Sequence, residues 1–271
     1  SVIVLDEAQA LPRGVLAPTT DVLDALVRDY GASVLIATAT QPALTREVLE
    51  DCGLERTVEV IGDPAALAAR LRRVQVDWSR AREACLWEDL AAELADEPDV
   101  LAIVHRRDDA RDLCVAVDGG AGDTSTEHLS ALMCPAHRSA VLARIRARKA
   151  AGEPVRVVST QLVEAGVDLD FPIVYRALGG LDALAQAAGR CNREGRLDRL
   201  GTLRVFLAAT RPPEGILQQG LDIARSMLCD DLDLFLPATH RAYYERLYRA
   251  GGVDRHDEKE GQRKRAELSF Q

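Results

Sequence analysis

Asp6 and Glu7 follow the apolar run VIVL without a spacer, and Gln9 stands two residues on. An acid at a strand end can hold a divalent cation through water, and a neighbouring glutamate can polarise an attacking water. The same pair also suits an N-cap aspartate beside a solvated glutamate. Thr38 and Thr40 follow the next apolar run, SVLIA. Hydroxyls there can bond to an acid at a neighbouring strand end, or simply cap the next helix. Farther on, the stretch STQLVEAGVDLD closes another apolar run. Thr160 and Gln161 suit phosphate contacts, Gly166 permits a turn that a side chain would block, and Asp168 follows it. An ordinary strand-to-loop turn fits the same residues. Gln186, Gly189, Arg190 and Arg193 lie in QAAGRCNR. On an unbroken helix the spacing i, i+4, i+7 sets Gln186, Arg190 and Arg193 on one side. An arginine there can neutralise charge developing on a γ-phosphate, although a solvated basic face has the same pattern.

Such groups need strand ends to hold them. Apolar runs alternate with amphipathic stretches, which predicts an α/β fold with a mostly parallel sheet. Buried strands are expected at 1–5 and 33–37, weaker ones at 58–61 and 74–76, and further strands at 100–104, 127–132, 155–159, 173–175 and 202–207. Helices are expected at 15–30, 42–52, 80–97, 108–117, 135–151, 181–190, 215–228 and 238–248. Residues 118–126 read as a flexible loop. The chain divides into a small first α/β piece at 1–76, a full α/β domain at 77–210 and a helical extension at 211–271.

The chain has 271 residues, 47% hydrophobic and 28% charged, with a formal net charge of −9. That composition excludes a disordered, collagen-like or disulfide-scaffold protein. The acidic balance excludes a molecule that is basic all over, yet leaves room for local phosphate contacts. No apolar run reaches the ~20 residues of a membrane span, so no membrane partner is expected. Six scattered cysteines without a CxxC pair, and no basic leader, suggest reduced thiols and a cytoplasmic location. Cys134 and His137 lack a second pair to complete a zinc site. The chain opens on Ser1 inside a strand, which suggests a piece of a longer protein.

In order, strand-DEAQ, TAT, the GVD loop and QxxGRxxR match motifs II, III, V and VI of superfamily 2 helicases. The stretches VLDEAQALP, TATQPAL, HLSALMCPAHR, VVSTQLVEAGVDLDFPIVYRALGGLD and QAAGRCNREGR resemble the CRISPR-associated helicase–nuclease of type I interference. The resemblance implies two RecA-like lobes of parallel sheet flanked by helices, the first lobe incomplete here. It implies an ATP-driven motor running 3′ to 5′ on single-stranded DNA. An HD-type nuclease domain would precede it, and an effector complex carrying guide RNA would recruit it. ATP and Mg²⁺ are the implied cofactors. Asp6 would then hold Mg²⁺, Glu7 would act on the hydrolytic water, and Gln9 would sense the nucleotide. Thr38 and Thr40 would couple hydrolysis to lobe movement. Gly166, Asp168 and Gly189 would lie on the nucleotide side, and Gln186, Arg190 and Arg193 would face the γ-phosphate, with Arg193 as the arginine finger. Thr160 and Gln161 would touch the DNA backbone, and His105 and Arg106, at the end of motif IV, would face DNA or the cleft.

The sequence departs from that pattern in one respect that bears on activity. No GxxxxGK[ST] phosphate-binding loop is present, and the three lysines, Lys149, Lys259 and Lys264, sit in no Gly-rich turn. The HD pair is missing as well. Feeble ATP binding and no turnover are expected of this chain alone. Two other readings stay open: an ATP-independent DNA-binding module, and one half of a split motor completed by another polypeptide. The run Arg144, Arg146, Arg148, Lys149 fits a solvated helix face or a DNA track.

Overall fold

A computed structural model of the chain describes all residues except 39, 41, 42, 50–52, 120–125, 165 and 252–271. It divides into two compact units, one formed by 1–70 with 230–271 and the other by 71–229. The expected boundary between 76 and 77 thus falls inside a strand, and the stretch 211–271 is shared between the units.

In the first unit, β1 (Val2–Asp6) and β2 (Ser33–Ala37) pair in parallel, with Asp6 opposite Ala37. The connection is α1 (Leu16–Tyr30), which Gly31 ends in the left-handed conformation at φ 61°. Burial alternates along β1: Ile3 and Leu5 are half-buried, while Val2 and Val4 are 71% and 58% exposed. The expectation of two fully buried strands is therefore corrected, because this two-stranded sheet is covered on one face only. The expected helix at 42–52 is reduced, among the described residues, to α2 (Arg46–Leu49). α3 (Pro64–Arg70) follows, and 58–61 forms no strand, with Val58 and Val60 largely exposed. α9 (Pro237–Gly251) closes this unit, with Tyr243 and Tyr244 buried.

The second unit is a six-stranded, all-parallel sheet in the order β3-β8-β7-β4-β6-β5. Its elements run β3 (Val74–Cys85), α4 (Trp87–Asp96), β4 (Asp99–Ile103), α5 (Arg107–Val117), β5 (Thr126–Leu129) and α6 (Pro135–Ala150). They continue with β6 (Val155–Ser159), β7 (Ile173–Ala177), α7 (Leu181–Ala188), β8 (Gly201–Ala208) and α8 (Ile216–Met227). The chain steps one way across the sheet from β3 to β5, then back from β6 to β8. With right-handed crossovers, that reversal sends α4 and α5 to one face and α6 and α7 to the other. Residues 80–85, expected to start a helix, extend β3 instead, with register shifts around Arg80. Ala81 and Cys85 are buried there, so pairing with β8 overrides the helical propensity of an Arg/Ala-rich stretch.

Strand alternation builds the core. Val100, Ala102 and Val104 pack with Leu90, Leu94 and Leu113 in one apolar layer that includes Tyr175 and Phe206. Leu101 and Ile103 point to the other side and are fully buried. Strands buried on both faces read as continuous Val/Ile/Leu runs, which is why VLAIV and VRVV were legible as strands.

Candidate functional site

Asp6, Glu7, Thr38, His105 and Thr160 stand at or just past the carboxyl ends of parallel strands, where α/β sheets bind ligands, whereas Asp168 precedes β7 and the segment from Gln186 to Arg193 runs from α7 toward β8. In the first unit, Asp6 ends β1 and accepts the Glu7 N–H on Oδ1 at 3.0 Å. Glu7 takes the left-handed conformation at φ 53°, ψ 42° and starts a short 3-10 turn, Ala8–Ala10. Among the described residues the non-glycine positive φ values belong to Glu7 and Asn192 alone. Both stand in the candidate motifs, and such strained positions cluster at functional sites.

A chain of polar contacts leaves Glu7. Its carboxylate accepts from the Gln9 amide nitrogen, and the Gln9 carbonyl oxygen contacts the Thr38 hydroxyl. Thr38 Oγ1 also lies 2.8 Å from the Thr40 carbonyl and accepts the Thr40 N–H at 3.2 Å. Thr40 is buried, with its hydroxyl 3.1 Å from Tyr244 Oη. The structure thus brings Asp6, Glu7, Gln9, Thr38 and Thr40 together. Asp6 and Glu7 are exposed carboxylates, so the donor set fits a hydrated magnesium ion at Asp6.

In the second unit, Thr160 follows β6 and donates its N–H to Leu129 O at 3.1 Å. Thr160 is buried, while Gln161 is half-buried at the head of a 3-10 turn, Gln161–Val163. Gly166 has φ +70°, and open space surrounds its missing Cβ, so backbone conformation rather than crowding demands glycine. Asp168 is exposed and pairs with Arg193 Nε at 2.8 Å.

The helix behind QxxGRxxR stops early. α7 ends at Ala188 and Gly189 caps it, so Gln186, Arg190 and Arg193 do not share one helix face. The chain turns instead through Asn192 at φ 45°. Asn192 is buried, donates to Arg73 O at 3.3 Å and accepts the Leu197 N–H at 3.3 Å. Asparagine tolerates that conformation better than most residues. The turn separates the two arginines. Arg190 is 7% exposed, with Nε donating to Val163 O at 2.7 Å and Nη2 to Glu164 O at 2.6 Å. Arg193 is exposed, near Asp168, with Nη1 3.4 Å from Gly189 O. Gln186 remains half-buried on α7.

Sequence reasoning passed over Glu164 and Arg176. Arg176, fully buried on β7, donates from Nε to Glu164 Oε1 at 2.7 Å and from Nη1 to Ala177 O at 2.9 Å. Its Nη2 is buried without a hydrogen-bond partner. Burial pushes the Glu164 carboxyl above its ordinary value, against the pull of Arg176. An arginine inside an apolar strand, IVYRAL, was the available signal: a charge so placed needs a partner.

His105 follows β4 as an internal ring. Its Nε2 meets Leu178 O at 2.9 Å. Burial, then the charge of Arg176, lowers its pKa from 6.5 to about 3, so the ring is neutral at pH 7. Arg106 beside it is exposed and donates from Nε to Arg211 O at 2.8 Å. Of these two expected nucleic-acid contacts, only Arg106 therefore presents a charge at the surface. A cleft of about 280 Å³ opens at these strand ends, lined by His105, Leu178, Arg82, Thr210 and Arg225.

Other candidates resolve into structure. Arg144 binds Glu127 through two contacts of 2.6 Å, and Lys149 binds Asp99 at 2.7 Å, so much of the basic run on α6 is engaged internally. Burial raises the Cys191 thiol to about 12, which disarms it as a nucleophile. Among the described residues no group of three or more His, Cys, Asp or Glu side chains could hold a metal. No helix among them is long and apolar enough to cross a membrane.

Known proteins resemble this chain in sequence and in fold. Residues 97–196 match the family model of the CRISPR-associated nuclease/helicase Cas3, C-terminal. A CRISPR-associated nuclease/helicase Cas3 of Haloferax volcanii is 44% identical over 61 residues, covering 22% of this chain and 6% of the relative. The protein of the same description from Methanothermobacter thermautotrophicus is 24% identical over 201 residues, covering 70% of this chain and 24% of the relative. The crystal structure of T. fusca Cas3-AMPPNP superposes with a TM-score of 0.61 at 17% identity, over 99% of this chain and 37% of that one. The last likeness speaks for the fold alone. The chain spans well under half the length of each of these proteins.

Proposed function

We propose that this chain, whose residues 97–196 match the model of the CRISPR-associated nuclease/helicase Cas3, C-terminal, is a piece of such a protein and part of an ATP-driven motor on single-stranded DNA. The carrying observation is the contact chain from Glu7 through Gln9 to Thr38 and Thr40, which begins at a strained backbone position. Glu7 is held by Gln9 where it can orient a water, and a change at that water reaches Thr38 through one amide side chain. Magnesium at Asp6 would supply charge neutralisation for the phosphates during hydrolysis. Arg193, exposed and held by a surface ion pair with Asp168 and a 3.4 Å contact to Gly189 O, is the side chain able to swing toward a γ-phosphate. Thr160, Gln161 and Arg106 form the DNA side of the second unit. A guide-RNA effector complex and the upstream nuclease and phosphate-binding segments are the partners this reading requires.

Turnover needs a phosphate cradle that this sequence does not contain, so we expect no hydrolysis by the chain alone. The test is steady-state ATP hydrolysis, with and without single-stranded DNA. This chain is run beside one extended upstream through a phosphate-binding loop. Only the extended chain is expected to turn over. In it, Glu7→Gln abolishes turnover while keeping ATP binding, and Arg193→Ala slows it by roughly 10³-fold or more, the scale of an arginine finger. Hydrolysis by the short chain, or wild-type rates in either variant, would overturn the assignment.

A further inference from the structure

The GVD loop and the QxxGRxxR segment are stitched into one piece. Arg190 spends its buried guanidinium on two loop carbonyls, Val163 O at 2.7 Å and Glu164 O at 2.6 Å. Glu164 is held at its other end by Arg176 of β7. Lower in the loop, Phe171 N–H donates to Arg190 O at 3.0 Å and Asn192 N–H to Phe171 O at 2.9 Å. Asp170 accepts the N–H of Arg193 at 2.7 Å and of Glu194 at 3.3 Å. The Asp168–Arg193 ion pair completes the set, with side chains 69% and 45% exposed.

These ties differ in strength. The Arg190 bonds are buried and charge-assisted, so breaking them strands a desolvated guanidinium. The Asp168–Arg193 pair is solvated and easily released. A rigid clip therefore sits behind a mobile arginine.

We propose that Arg190 is a positioning residue and not a phosphate ligand: with Glu164 and Arg176 it clips the 160–164 loop to 189–194, so that a polyanionic strand seated at Thr160 and Gln161 repositions Arg193. This rests on the DNA-motor reading above and adds the route by which strand binding reaches the arginine. Three features support it. Nε and Nη2 of Arg190 both donate into the loop. The turn at Asn192 carries Arg193 away from Arg190. Glu164 is gripped at its carboxylate and at its carbonyl, which leaves the loop no independent hinge at that residue.

The test is hydrogen–deuterium exchange on this chain, with and without an oligothymidylate, for wild type, Glu164→Gln and Arg190→Lys. Exchange in α6 serves as the folding control. In wild type the strand is expected to protect 160–164 and 189–194 together. In either variant it protects 160–164 only. Joint protection surviving in both variants, or no protection of 189–194 in wild type when 160–164 is protected, overturns the clip. If the strand protects neither segment, the DNA reading fails, and strand-free exchange decides the clip. Faster exchange in both segments of Arg190→Lys upholds it, and any other pattern refutes it. In the extended, hydrolysing chain, Glu164→Gln is expected to lower stimulation by single-stranded DNA by about 5- to 150-fold, the range of typical coupling free energies. The rate without DNA is kept. An equal loss with and without DNA would make Glu164 a general structural residue and defeat the proposal.

Discussion

Lowering the pH from 7 to 5 is expected to destabilise the second unit through His105. The ring is 7% exposed, bonded to Leu178 O and near the fully buried charge of Arg176. Its folded pKa, about 3, lies below the ordinary value of 6.5. The unfolded chain therefore takes up the proton first as pH falls. The stabilising contribution is complete above about pH 6.5 and is lost progressively toward pH 3. At pH 5 the loss is about 2 kcal/mol, since each unit is worth about 1.4 kcal/mol. With a urea slope of about 1–3 kcal/mol/M, the midpoint falls by roughly 1 M. Trp78 and Trp87, the two tryptophans of the chain, both lie in this unit, so their fluorescence reports its unfolding. His128, also lowered by burial, contributes with the same sign. The comparison is therefore with His105→Gln, which cannot take up the proton. The wild-type drop between pH 7 and 5 should exceed the variant's by about 2 kcal/mol. Equal drops would show that the ring is charged or solvated in the folded protein, and the argument from burial would collapse.

Three further substitutions test the architecture around the candidate motifs. Glu164→Ala leaves Arg176 buried without its carboxylate and should cost about 3–5 kcal/mol in urea titrations followed by the same fluorescence; a loss under about 1 kcal/mol would contradict the buried pair. Gly201→Ala places a methyl 2.6 Å from Cys191 Sγ and 3.0 Å from Asn192 Cβ, at the root of the arginine-bearing turn. Thermal unfolding should register about 1–3 kcal/mol of overpacking. Thr40→Val removes the hydroxyl that faces Tyr244 Oη at 3.1 Å. The first unit contains no tryptophan, so amide exchange in β2 is the readout, with an expected loss of about 0.5–1.5 kcal/mol.

Much of this protein is determined by local sequence alone. The period of apolar residues marked the parallel strands of the second unit, because a strand buried on both faces must be an unbroken apolar run. Motif order located the acid turn, the threonines and Thr160, because parallel sheets bind ligands just past strand ends, while the QxxGRxxR segment follows a helix instead. What failed did so where distant chain decides local form. The 80–85 stretch has helical composition, yet it pairs with β8 because an edge of the sheet was open to it. The 186–193 spacing looked like one helical face, but Gly189 and Asn192 break the helix, and only the fold shows Arg190 turned inward to two carbonyls. Burial, and with it the neutral His105 and the Glu164–Arg176 pair, depends on which side chains surround a group. That is a property of the packed chain, and no window of sequence contains it.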